Sequence, residues 1–184
     1  LPGLVALLAV AELLLHTARL TAVFLVGHVG ATVLVALGLV TAVEMGWLPV
    51  TIAQASDVGM SYGAIAVLGA LTAAIPPRWR PAWIGWWLAI GLAAAVTGDD
   101  FTDAGHTIAL VLGMLVAARF AGPIRWTPVR YLFLTVATAF GFLLLAHTGV
   151  AALTGVVTGT LCALAGDRVA VFRQQRRLQP VLSS

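Results

Sequence analysis

The chain has 184 residues, of which 61% are hydrophobic and only 9% charged, with a formal net charge of +3. A soluble domain carries about 25% charged residues, and no core of this size encloses so much apolar side chain, so a soluble globule is excluded. A lone cysteine, Cys162, likewise excludes an intrachain disulfide and a cysteine-based metal cluster. What remains is an integral membrane protein. Only helices and closed barrels satisfy their backbone in lipid, and barrel strands alternate apolar and polar residues, which these runs do not. The fold class is therefore all-α, a polytopic transmembrane helical bundle.

Seven helices are predicted, over residues 2–18, 20–41, 58–76, 81–97, 104–119, 129–146 and 150–166. Prolines punctuate them. Pro49 lies in the loop after the second helix, Pro76-Pro77 ends the third, Pro81 opens the fourth, and Pro123 and Pro128 frame the loop before the sixth. The apolar stretch 129–166 exceeds one span of about 20 residues, and His147-Thr148-Gly149 is its expected turn.

All ten basic residues are arginine, and they fall on alternate connections. Arg19 follows the first helix. Arg78 and Arg80 lie between the third and fourth, Arg119, Arg125 and Arg130 between the fifth and sixth, and Arg168, Arg173, Arg176 and Arg177 after the seventh. The intervening loops carry Glu44 and Asp57, then Asp99, Asp100 and Asp103. By the positive-inside rule the arginine-bearing loops are cytoplasmic. The N-terminus is then outside and the C-terminus inside. Arginines at helix ends are explained by topology, so the basic charge does not imply a nucleic-acid partner.

This topology sets Ser61 and His106 at the same depth, just below the outer surface. Polar groups buried at one level of a bundle are costly unless they serve something. A serine hydroxyl with a histidine as its base is a nucleophilic pair. The bland alternative is a serine bonded back to a carbonyl one turn earlier. Glycines flank both residues: Gly59 and Gly63 beside Ser61, then Gly69; Gly105 and Gly113 around His106. Such ladders let helices approach closely, and Gly59 and Gly63 also stand where backbone N–H groups near a nucleophile would meet an oxyanion.

The set Gly59-Met-Ser61 and Gly105-His106 with Gly113 resembles the rhomboid intramembrane serine proteases. Phe24-Leu-Val-Gly-His-Val-Gly-Ala-Thr32 with Asp57-Val-Gly-Met-Ser-Tyr-Gly63 is similar to the rhomboid-like membrane proteins of actinobacteria. Gly69 matches the family's small-residue face, and Glu12 resembles the acidic residue near the cytoplasmic end of its second helix. The resemblance implies that residues 1–120 form a rhomboid-like core whose N-terminal part lies upstream of Leu1. Residues 121–167 would add two helices, and 168–184 a basic cytoplasmic tail. It implies Ser61 and His106 as a catalytic dyad cleaving transmembrane segments near the outer face of a bacterial plasma membrane. Tyr62 stands where active rhomboids carry a small residue, which suits the alternative, a pseudoprotease that binds membrane helices as a scaffold or complex subunit. Membrane lipids and transmembrane helices are the expected partners.

The other polar groups have quieter expectations. His28 is expected to hydrogen-bond across a helix interface, His16 to be interfacial, and His147 to be a turn residue. No histidines and carboxylates have compact metal-ligand spacing, so neither metal nor other cofactor is expected. The acidic run Asp99-Asp100 with Asp103 reads as a solvated loop marking a helix start. A proton pathway through Asp57, His28 and His106 is a third function, which would want a helix broken at midplane. The prolines instead lie in loops.

Overall fold

The computed structural model describes residues 2–54, 60–98, 100–120 and 126–182. Its helices are α1 (Pro2–Leu15), α2 (Thr17–Glu44), α3 (Ser61–Ala70), α4 (Arg80–Thr97), α5 (Phe101–Ala117), α6 (Pro128–Leu145) and α7 (Gly149–Leu182), with short 3-10 turns at Val50–Gln54 and Leu71–Ala73. No strand occurs among the described residues. All seven expected helices are present, and the turn at His147-Thr148 separates α6 from α7.

Among the described residues three helices are long and apolar enough to cross a membrane: Thr17–Glu44, Pro128–Leu145 and the Gly149–Phe172 part of α7. Pro2–Leu15, Ser61–Ala73 and Phe101–Ala117 are apolar but shorter. The brevity of α3 follows from its setting. Every residue from Tyr62 to Ala70 is buried, because α1, α2, α5 and α6 all pack around it. A helix apolar on all sides belongs at the centre of a bundle. The α-helix gives way to a 3-10 turn at Leu71–Ala73, and Pro76-Pro77 follows it. By contrast α7 outruns its expected end. Between Gly166 and Pro180 no helix breaker occurs, and the chain stays helical through the basic stretch to Leu182.

Two sharp features shape the start of the chain. At His16, φ is +68°, the one positive value at a described non-glycine residue. It divides α1 from α2, and the Thr17 hydroxyl donates to Glu12 Oε1 across the break at 2.6 Å. Glu12 therefore fastens the joint between the first two helices.

Close contacts fix the directions of the helices. A Cβ on Gly3 would strike Phe140, and Arg130 Nη2 donates to the Leu13 carbonyl at 3.1 Å, so α1 and α6 are antiparallel. A Cβ on Gly166 would meet the Pro81 carbonyl at 2.6 Å, one on Gly85 the Cys162 carbonyl at 2.7 Å, and one on Gly159 Trp86, so α4 and α7 are antiparallel too. The two C-terminal helices thus pack onto different core helices, α6 on α1 and α7 on α4. The Arg19 guanidinium lies 5.1 Å from the Phe120 ring, joining the start of α2 to the end of α5. These pairings gather Arg19, Arg78, Arg80, Arg119, Arg130 and Arg168 at one end of the bundle. The starts of α3 and α5 lie at the other.

The core is filled by large side chains between these helices. Trp87 is fully buried and meets Trp83 edge-on, with ring centroids 5.7 Å apart. Leu68 of α3 fills the space left by Gly141 of α6. Leucines and valines on the outer faces of α2, α6 and α7, among them Leu25, Val29, Leu37, Leu132, Leu143 and Leu161, are exposed. That outward apolar surface suits lipid rather than water.

Candidate functional site

Helices α3 and α5 run parallel, and glycine makes their contact possible. A Cβ on Gly113 would collide with the Ala66 carbonyl oxygen, one on Gly69 with the Leu110 carbonyl oxygen, and one on Gly105 with the Tyr62 ring. Backbone meets backbone along this seam, as small residues permit between membrane helices. Gly63 serves packing as well, lying against the Phe24 ring of α2 at 2.6 Å from a built Cβ. Gly27 of α2 closes on Ala66 and the Tyr62 carbonyl from the same side.

The seam brings Ser61 and His106 to the same end, as the charge pattern requires. Among the described residues no hydrogen bond joins the two side chains. The residue held against His106 is Tyr62: the two rings meet edge to face, with centroids 5.3 Å apart and planes at 82°. Both are buried, Tyr62 to 2% and His106 to 6% exposure. On α3 the face toward α5 is Tyr62, Ala66 and Gly69. At 3.6 residues per turn, Ser61 lies about 100° around the helix from Tyr62. Its side of α3 carries Leu68 two turns on, which meets Gly141 of α6. Ser61 is the first residue of α3, half-buried, and among the described residues its hydroxyl makes no hydrogen bond. Gly59, expected beside the oxyanion, lies outside the described residues, as do Asp57 and Asp99.

Asp103 corrects the sequence-based expectation most. The sequence pattern predicts a solvated loop, yet Asp103 is 2% exposed and belongs to the first turn of α5. Three residues before His106, it shares that residue's side of the helix. Gly98 makes room for it, since a Cβ there would collide with the Asp103 carboxylate. His147, expected only to turn the chain, brings its Nδ1 to 3.5 Å from Asp103 Oδ1 while remaining half-exposed. Asp100 caps α5, accepting from the Thr102 N–H at 3.2 Å. One turn on, the Thr107 hydroxyl donates to the Gly91 carbonyl at 2.7 Å, tying α5 to α4. This end of the bundle therefore joins Tyr62, Asp103, His106 and His147 from three parts of the chain. The i, i+3 spacing of Asp103 and His106 was the sequence signal for this cluster. Nothing local pointed to His147.

His28 also departs from expectation. Its Nδ1 is buried with no hydrogen-bond partner among the described residues, and its ring packs near Phe24 at a centroid distance of 6.2 Å. Among the described residues no group of three or more His, Cys, Asp or Glu side chains is arranged to hold a metal ion.

The model of a family described as "rhomboid-like protein" matches residues 4–123. That span runs from α1 through α5 and contains the whole Tyr62, Asp103 and His106 arrangement. No curated protein and no solved structure matches the chain.

Proposed function

The chain belongs to the rhomboid-like protein family, and from that membership we propose a multi-pass protein of a bacterial plasma membrane that engages transmembrane segments of other proteins at its outer end without cleaving them. The observation that carries this reading is the place of Tyr62. A serine hydroxyl is a weak nucleophile unless a base lies within about 2.6–3.2 Å of it. Here the Tyr62 ring packs edge to face on His106, and Ser61 lies about 100° around α3 from that contact. The cluster then serves structure: Tyr62 and His106 fill the top of the glycine seam, and Asp103 with His147 links α5 to the α6–α7 turn. The long apolar face of α2, including Leu25, Val29, Val33 and Leu37, is open to a neighbouring helix.

A second reading, the rhomboid protease with Ser61 as nucleophile and His106 as general base, has its own support. The two residues top parallel helices in backbone contact, and catalytic hydrogen bonds often tighten only when substrate binds. A rotation at the first turn of α3 would bring Ser61 toward α5. Ser61 would then attack the peptide carbonyl, and His106 would take its proton and return it to the leaving amine. Fluorophosphonate labelling of the protein in proteoliposomes separates the two. The expected result is no label above the Ser61→Ala background. A label, or cleavage of a transmembrane substrate, that is lost in both Ser61→Ala and His106→Ala would establish the protease instead.

Orientation belongs to the same proposal. With the arginine end cytoplasmic, a cysteine at Asp100 in a Cys162→Ala background reacts with an impermeant thiol reagent added outside intact cells, and one at Arg119 does not. The opposite pattern would invert the topology and move the cluster to the inner face.

A further inference from the structure

At the end of the bundle opposite Ser61 and His106, the α3–α4 connection and the start of α6 line an open cleft of about 390 Å³. This lies within the range of small-molecule sites, roughly 300–1,000 Å³. Its inner wall includes Trp83 and Leu134, and its rim carries Arg78, Trp79, Trp126 and Tyr131. The Trp126 and Tyr131 rings stack, with centroids 4.9 Å apart. Among the described residues no acidic side chain lines the cavity.

The arginines of this end divide by what they already hold. Arg80 donates from Nε to the Ile75 carbonyl and from Nη2 to the Ala73 carbonyl, both at 2.9 Å, and so caps the α3–α4 turn. Arg130 donates to the Leu13 carbonyl and Arg19 covers Phe120. Arg78 differs. Its guanidinium rests 5.3 Å from the Trp79 ring, and among the described residues it makes no hydrogen bond or ion pair. Its fork of N–H donors, shaped for phosphate or carboxylate, stands on the rim of an apolar slot. Trp and Tyr rings concentrate at the level of lipid headgroups, and basic pockets between membrane helices suit anionic headgroups.

We propose that this cavity binds one anionic phospholipid, with its phosphate on Arg78 and its glycerol and upper acyl carbons against Trp83 and Leu134. The apolar wall favours a lipid over a free anion, which would leave that wall unused. The site is independent of whether Ser61 is catalytic.

The test is native mass spectrometry of the full chain, carried in neutral detergent with equimolar phosphatidylglycerol and phosphatidylcholine. One phosphatidylglycerol per chain should be retained in preference to phosphatidylcholine. Arg78→Gln should lower that retention about fivefold, Arg78→Lys should keep part of it, and Arg119→Gln, away from the cavity, should leave it unchanged. Leu134→Trp, which fills the slot and keeps every charge, should also lose it, so the proposal does not hang on one variant. Millimolar inorganic phosphate should not displace the lipid. Equal retention of the two lipids, equal losses in Arg78→Gln and Arg119→Gln, undiminished retention in Leu134→Trp, or displacement by inorganic phosphate would each overturn it.

Discussion

Gly113→Leu is expected to abolish the folded bundle. A side chain there enters the Ala66 backbone carbonyl, and a carbonyl within a buried helix cannot swing aside as a side-chain tip can. Overpacking a close-packed interior costs about 1–3 kcal/mol when neighbours adjust. Here α3 and α5 must separate, and the seam holding Tyr62 against His106 opens with them, so the loss lies at or above the top of that range. Size-exclusion chromatography and thermal melting in detergent report it. Gly38→Leu is the control, because no heavy atom lies within 4 Å of a Cβ built at Gly38. Removing a helix-interior glycine there relieves about 0.5–1 kcal/mol of entropic cost. A Gly113→Leu protein that melts with wild type would show that the helices are farther apart than described.

Tyr62→Ala is expected to destabilise the protein by about 2–3 kcal/mol. Truncating a buried aromatic in a soluble core costs about 3–5 kcal/mol, part of it transfer to water and part the cavity left behind. In a membrane the transfer part shrinks, since lipid is as apolar as the interior, while packing contacts still count. The cavity here would lie between Gly105 and His106, where the α3–α5 seam cannot collapse without moving backbone. Tyr62→Phe keeps the ring against His106 and should melt within about 1 kcal/mol of wild type. If Tyr62→Ala and Tyr62→Phe melt alike, the ring contact contributes nothing and the case for a structural cluster fails. Labelling of Tyr62→Ala by a fluorophosphonate at Ser61 would show instead that Tyr62 masks a working nucleophile.

Several parts of the architecture were written in the chain itself. Composition demanded helices in a membrane because backbone polar groups have no other way to be satisfied there. Pro76-Pro77, Pro81 and Pro128 set helix ends through local backbone sterics, which need no partner. The alternation of arginine-bearing loops foretold that Ser61 and His106 share one end, and the contacts between antiparallel pairs agree. Glycine at positions 69, 105 and 113 announced close approach, although not which atoms would meet. Rotation about a helix axis was decided only in three dimensions. Whether Ser61 or Tyr62 faces α5 depends on which side of α3 each of four neighbouring helices takes. An α3 apolar on every side carries no amphipathic pattern from which to read that. The burial of Asp103 and its approach to His147 depend on α6 and α7 folding back across the end of the bundle where α5 starts, more than 40 residues along the chain. Nor does any local signal say that Arg80 is consumed by carbonyls while Arg78 is left on the rim of a cavity. Periodicity and charge act along the chain, so sequence carries them. The facing of side chains is a property of the packed bundle, where each helix is turned by all its neighbours at once.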